Sequence, residues 1–197
     1  LLKHYQFYDM ERNYKRRPML LSYSSNLAQH RYPVLYAGKT TVSWESLKQI
    51  PKYNASATNN GVSWWSHDIG GYFKGIEDNE LYIRYVQLGT FSPILKFGAD
   101  KGKYYKREPW RWSVKTQGIV KSFLELRHKL IPYLYSEAYK YTKDGIPILK
   151  PLYYVAPDMY AFCEYLFMGK DEPEGLVPKN CVYNQFYDEE KHSEVLC

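Results

Sequence analysis

The sequence predicts an α/β fold in which short parallel strands alternate with helices. Three observations carry that expectation. Four apolar runs of strand length lie near residues 18–23, 34–38, 62–66 and 92–97. Stretches with helical patterning follow the second, third and fourth runs, the last of them a long amphipathic pattern over 118–142. The third observation is Trp64-Trp65-Ser66-His67-Asp68-Ile69-Gly70-Gly71, an apolar and aromatic run that ends on an acid and two glycines. A strand buried on both faces reads in this way when it carries a carboxylate to the rim of a barrel. Strand–helix alternation is the rhythm of one half of a (β/α) barrel.

Taken in order, residues 1–14 read as the end of a helix or a loop that closes on charge. Arg17-Pro18-Met19-Leu20-Leu21-Ser22-Tyr23 is a basic turn running into the first strand, and Ser24 to Gln29 is a polar loop. Val34-Leu35-Tyr36-Ala37-Gly38 is the second strand. Ser43 is placed to cap the helix opened by Trp44-Glu45-Ser46-Leu47, because its hydroxyl can accept from a free first-turn N–H. The third strand, 62–66, ends at Asp68, where Gly70-Gly71 permits a tight turn. Asp68 alone could equally cap the next helix. Asp78 to Leu88 is helical, with Leu81, Tyr85 and Leu88 on one face. Pro93 falls near the start of the fourth strand, where a missing donor is tolerated. Residues 98–112 form a long loop rich in bases and aromatics. Over 118–142, Ile119, Phe123, Leu126, Leu130, Leu134 and Ala138 recur at helical spacing, and Pro132 should kink the helix.

Size agrees with a partial barrel. A full eight-stranded barrel usually takes about 250 residues, and this chain has 197 and opens on Leu1, which suits a piece of something longer. Residues 1–144 are expected to form the barrel portion, and 145–197 a linker and the start of a β-sandwich-like or irregular tail. The net charge of +6 reads as surface charge. With 22 Tyr, 8 Phe and 5 Trp, the chain is rich in side chains that suit wet core edges and sugar-stacking surfaces alike. Cys163, Cys181 and Cys197 have no metal-ligand spacing, and an odd count gives no disulfide framework. His67 has no second His or Cys nearby, so no metal and no cofactor are expected. No run is long and apolar enough to span a bilayer, and no signal peptide is visible. Asn54-Ala55-Ser56 is a glycosylation sequon whose use depends on a compartment the sequence leaves open.

Longer words now stand in one order: Trp65-Ser66-His67-Asp68-Ile69-Gly70-Gly71, then Glu80-Leu81-Tyr82-Ile83-Arg84-Tyr85 through Thr90-Phe91-Ser92-Pro93-Ile94, then Arg107-Glu108-Pro109-Trp110. Tyr8-Asp9-Met10, Arg16-Arg17-Pro18, Arg31-Tyr32-Pro33, Ser43-Trp44-Glu45-Ser46-Leu47 and Arg127-His128-Lys129-Leu130-Ile131-Pro132-Tyr133 accompany them. Over residues 1–154 the chain resembles glycoside hydrolase family 31, the α-glucosidase and α-xylosidase family. The resemblance implies the C-terminal half of a (β/α)8 barrel, its fifth to eighth strands and closing helix, followed by the start of a β-rich segment. It also implies an α-linked glucoside or xyloside as the carbohydrate partner.

Family enzymes are retaining hydrolases that use two carboxylates about 5 Å apart, one as nucleophile and one as acid/base. By the resemblance the nucleophile belongs to a strand before Leu1. The acid/base aspartate falls on Lys39, and an ammonium cannot do a carboxyl group's work unless its pKa drops far. Tyr23 stands where the family carries an arginine, Gly98 where it carries a sugar-binding histidine, and Lys96 where arginine is usual. Asp68 is kept, and its family counterpart accepts hydrogen bonds from sugar hydroxyls, which suits a carboxylate.

Candidate substrate-binding residues are therefore Asp68, Trp65, Phe91 and Trp110, with no catalytic residue assigned. Phe91 also fits plain core packing. Glu108, before Pro109, suits fixing its loop, while Asp100 and Glu45 fit poorly as replacement acids. The expected function is a fragment or divergent member of these α-glycosidases, inactive as an isolated chain. A catalytically dead carbohydrate-binding or interaction protein is the alternative. The basic, aromatic stretch Lys101 to Arg107 suits a nucleic-acid binder less well, since such a run is usually a solvated loop. Neither nucleic acid nor membrane is an expected partner. Self-association is expected, because half a barrel exposes sheet edges and apolar interior.

Overall fold

The computed structural model describes residues 5, 7–14, 18–23, 34–102, 107–154 and 166–168. A short helix, α1 (Tyr8–Tyr14), precedes four strands that form one parallel sheet: β1 (Leu21–Ser22), β2 (Val34–Tyr36), β4 (Trp65–Asp68) and β6 (Ile94–Lys96). Their spatial order is β1-β2-β4-β6, with every neighbouring pair parallel. Chain order thus equals spatial order, as in a barrel wall. α2 (Trp44–Asn59) supplies the crossover from β2 to β4 and α3 (Asn79–Phe91) that from β4 to β6, and α4 (Val114–Lys129), which follows β6, packs on α3.

Local chemistry sets the helix starts. Ser43 Oγ accepts from Ser46 N–H at 3.2 Å, as its position predicts. Asp78 Oδ1 accepts from Glu80 N–H at 2.8 Å, and Asp78 Oδ2 accepts from Trp44 Nε1–H at 3.1 Å, which ties α3 to α2. The α3 face holding Leu81, Tyr85 and Leu88 is fully buried. It forms the main core with Leu47, Ile50, Ile69 and Val120. Gly89 lets α3 approach the end of β4: a Cβ there would lie 3.0 Å from Ile69 Cγ1.

The strands are shorter than their apolar runs, and the larger departures from the predicted bounds have visible reasons. Strand pairing begins at Trp65 rather than Val62, because Val62 N–H closes the turn off α2 onto Ala57 O at 2.9 Å, and Ser63 Oγ accepts from Ile148 N–H at 2.8 Å. The pattern over 118–142 becomes two helices. α4 starts earlier, at Val114, capped by Ser113, and α5 (Ile131–Asp144) follows a break at Leu130. Pro132 cannot donate to the carbonyl four residues back, so the expected kink is a full interruption. A second, two-stranded parallel sheet went unforeseen: β3 (Thr41–Val42) pairs with β5 (Phe73–Gly75) above the strand ends. Gly71, at φ +75°, makes that crossing possible, since a Cβ there would stand 2.7 Å from Thr41 O.

After α5, β7 (Leu149–Pro151) pairs antiparallel with β8 (Leu166–Met168). β7 is buried and packs along α2, where Thr58 Oγ1 donates to Leu149 O at 3.1 Å. The Arg16-Arg17 and Arg31-Tyr32-Pro33 words, residues 103–106, and Cys163, Cys181 and Cys197 lie outside the described residues, as does most of the expected irregular tail.

Candidate active site at the strand ends

The pleat decides which side chains meet. In a strand, alternate residues share a face, and the parallel register sets Tyr36 beside Ser66, Ser66 beside Ile94, and Asp68 beside Lys96. Tyr36, Asp68 and Lys96 therefore project from one face at the C-terminal ends of three adjacent strands. Leu35, Trp65 and His67 take the opposite face, toward the helices.

On the first face Asp68 is the hub. Its carboxylate is fully buried and accepts from Tyr36 Oη–H through Oδ2 and from Lys96 Nζ through Oδ1. Lys96 Nζ also lies over the Tyr36 ring, 4.4 Å from its centre. Burial first, then the bond to Asp68, push the Tyr36 hydroxyl pKa up. A carboxylate has about four lone-pair sites, and these two donors take two of them. The Lys96 side chain is 32% exposed, so its ammonium lies between the buried carboxylate and solvent. A Cβ at Gly98 would run into Asp68 Oδ1 and stand 3.1 Å from Lys96 Nζ. The lysine thus uses the space that a larger residue at position 98 would need.

Around this hub sit the rim groups. Tyr23 lies at the mouth, its ring 5.9 Å from that of Tyr36 and its Cε2 3.0 Å from where a Gly38 Cβ would be. Lys39 is exposed and rests over the Tyr72 ring at 4.5 Å. Tyr72 is carried there by the small upper sheet, its N–H donating to Thr40 O at 2.8 Å. Arg107 is buried and braces the glycine turn: Nε and Nη2 donate to Gly71 O at 3.2 and 2.8 Å. Burial lowers its pKa, and the nearby Tyr82, Tyr85 and Asp68 oppose that shift.

An open cleft of about 650 Å³ begins beside this cluster and runs along the loop that follows β6, lined among others by Gly98, Asp100, Arg107, Glu108 and Trp110. Glu108 accepts from Arg107 N–H at 3.2 Å and pairs with Arg111 at 3.5 Å. Backbone N–H donors hold its carboxyl below the usual range. Asp100 is exposed and accepts from Lys101 N–H at 2.8 Å.

The residues expected to bind sugar are thus not all brought together. Asp68 and Trp110 share the strand-end side of the sheet. Trp65 packs beside Leu35, Ala57 and Val62, toward α2 and away from Asp68. Phe91 is the last residue of α3 and packs on the main core, before β6 begins and at the far end of the strands. Its place is fixed by α3 running antiparallel to the sheet. Glu45 lies on the first turn of α2, accepting from Gln49 at 3.1 Å. His67 is buried against Ser92 Oγ at 3.1 Å, and burial holds its pKa down to about 4. No group of three metal-ligating side chains occurs among the described residues. Sequence reasoning overlooked Tyr36 and Tyr72. Strand phase could have found Tyr36, which lies two residues before the glycine that ends its strand.

Comparison with known proteins places this arrangement. The profile described as the glycosyl hydrolases family 31 TIM-barrel domain matches residues 1–137. An α-xylosidase of Saccharolobus solfataricus is 32% identical over 143 residues, covering 70% of this chain and 19% of the relative. Neutral α-glucosidase AB of Mus musculus is 32% identical over 149 residues, covering 74% of this chain and 15% of the relative. Among solved structures, a cycloalternan-degrading enzyme from Trueperella pyogenes superposes with a TM-score of 0.77 at 21% identity, over 82% of this chain and 25% of that one. A Flavobacterium johnsoniae GH31 dextranase complexed with isomaltotriose gives 0.74 at 25% identity, over 82% and 21%. The chain therefore spans less than a fifth of the length of these two curated relatives. The profile covers most of it, and the chain belongs to glycosyl hydrolase family 31.

Proposed function

We propose that this chain is a divergent family 31 unit that takes the terminal sugar of an α-linked glucoside or xyloside at the strand ends around Asp68 and does not hydrolyse it alone. The observation that carries this reading is the Asp68 cluster. A buried carboxylate paired with a partly exposed lysine sits at the end of a barrel strand, where ligands of this architecture bind. Sugar hydroxyls would replace the Lys96 ammonium at Oδ1 as the lysine stem swings into the mouth, and Tyr36 would keep Oδ2 in place.

Turnover would need a pair of carboxylates about 5 Å apart, a nucleophile and an acid/base, both distinct from the sugar-binding Asp68. Lys39, in the place expected for the acid/base, is a cation held over Tyr72. Asp100 and Glu108 both bind the backbone of their own loop. These facts support a binding role for the isolated chain. The division at residue 144 belongs to the same reading: parallel pairing ends with β6, and antiparallel pairing starts with β7.

Calorimetric titration with methyl α-glucoside and methyl α-xyloside tests the proposal, with Asp68→Asn as comparator. Weak saturable binding that Asp68→Asn removes is the expected result. Equal binding by both proteins would refute the role given to Asp68.

A further inference from the structure

We propose that the ligand of the Asp68 site is an α-glycosyl phosphate, with its sugar at Asp68 and its anomeric phosphate on the Lys39 ammonium. This rests on the carbohydrate-binding reading above and adds the charge of the group joined to the anomeric carbon. In a retaining glycosidase the acid/base stands beside the oxygen that leaves the sugar, and the family resemblance gives that place to Lys39. A carboxylate there would repel a phosphate ester, whereas an ammonium attracts it.

The cations at the mouth outnumber the carboxylate between them. Lys96 is bound to Asp68, and that pair is neutral. Lys39 is exposed, and among the described residues its ammonium pairs with no carboxylate and rests on the Tyr72 ring at 4.5 Å. An exposed cation–ring contact is weak, so the ammonium turns to a dianion at little cost. Asp100 donates its N–H to Tyr72 O at 2.9 Å, but its carboxylate accepts from Lys101 N–H in its own loop. The backbone that carries Lys39 is fixed on both sides, which reduces the ordering cost of binding. Ala37 N–H donates to Ser66 O at 2.8 Å, and Thr40 O accepts from Tyr72 N–H at 2.8 Å. Gly38 turns the chain between them at φ +99°, and a Cβ there would lie 3.1 Å from Tyr23 Oη. The Tyr23 hydroxyl is thus beside the residue before Lys39, where it can donate to a phosphate oxygen. Tyr72 and Tyr23 both help to raise the pKa of Tyr36, which sets three hydroxyls around one opening. A lysine meets phosphate as a point charge, while a carboxylate ligand favours the arginine fork. That contrast selects a phosphate over a uronate.

Calorimetry on the full chain at about pH 7.5, where the phosphate is close to a dianion, compares α-glucose 1-phosphate with methyl α-glucoside. The native protein should bind the phosphate ester about tenfold more tightly, the size expected of one exposed cation on a dianion. In Lys39→Gln the two ligands should bind alike, and Lys39→Arg should keep most of the native ratio. Circular dichroism confirms that both variants remain folded, which the exposure of Lys39 favours. Glucose 6-phosphate and inorganic phosphate should each bind more weakly than glucose 1-phosphate. Equal binding by either of them would show general attraction of anions and overturn the inference. A ratio near one in the native protein, or a ratio that survives Lys39→Gln, would also overturn it and leave the Asp68 reading standing. Absence of binding by both glucosides to the folded native chain would overturn both readings.

Discussion

Replacing Lys96 with methionine probes the Asp68 cluster most sharply. The substitution keeps the length and most of the volume of the lysine stem, so little is lost in packing. What it removes is the ammonium on Asp68 Oδ1, leaving a carboxylate with 0% side-chain exposure that still accepts from the Tyr36 hydroxyl. Breaking a fully buried pair in this way costs about 3–5 kcal/mol. The Lys96 side chain is 32% exposed, so water already screens part of its charge, and Arg107 stays near. The cost should therefore fall to about 2–3 kcal/mol. Adding Asp68→Asn removes the stranded charge, and the double variant should lie within about 1 kcal/mol of the native chain. Urea unfolding followed by circular dichroism measures both. With a slope of about 2 kcal/mol per molar, the midpoint of Lys96→Met should drop by roughly 1 M. The reasoning fails if Lys96→Met costs less than about 0.5 kcal/mol, as an exposed pair would, or if the double variant is no better than the single.

Further expectations follow from neighbouring residues. His67 has a native pKa lowered to about 4 by burial, so as pH falls the unfolded chain, with an ordinary value near 6.5, takes the proton first. Its contribution is full above about pH 6.5 and is lost as pH falls toward 4, at most about 3 kcal/mol in all. His67→Gln should flatten stability over that window, and an unchanged pH profile would exclude the residue as its source. Gly98→Ala should destabilise by about 1–3 kcal/mol through overpacking on Asp68. Combining it with Lys96→Met should cost less than the sum, whereas strict additivity in urea midpoints would show that the two do not compete for space. Leu21 on the edge strand β1 and Met19 and Tyr23 flanking it are 48%, 71% and 72% exposed. Sedimentation should show concentration-dependent association that Leu21→Thr with Met19→Lys weakens, and a monomer at all concentrations would contradict this.

The strand order was legible because four apolar runs end in recognisable ways, and the resemblance of the words around Asp68 fixed their sequence along a barrel. Helix starts at Ser43 and Asp78 were equally open to reading, since a cap is a local interaction between residues two or three apart. The cluster itself was only half visible. Asp68 and Lys96 were singled out separately, yet their pairing depends on register between strands 28 residues apart, which no local pattern states. The upper sheet escaped notice because strands of two and three residues carry no periodicity. Phe91 and Trp65 look alike as aromatics near a site word, but strand phase and helix direction send both away from the mouth.

The most direct measurement is release of nitrophenol from 4-nitrophenyl α-glucoside and α-xyloside by the native chain, with Lys39→Asp and Asp68→Asn alongside. The account predicts no release above the uncatalysed rate from any of the three, because one restored carboxylate leaves retaining hydrolysis without its second group. Turnover by the native chain that Asp68→Asn abolishes would contradict the account.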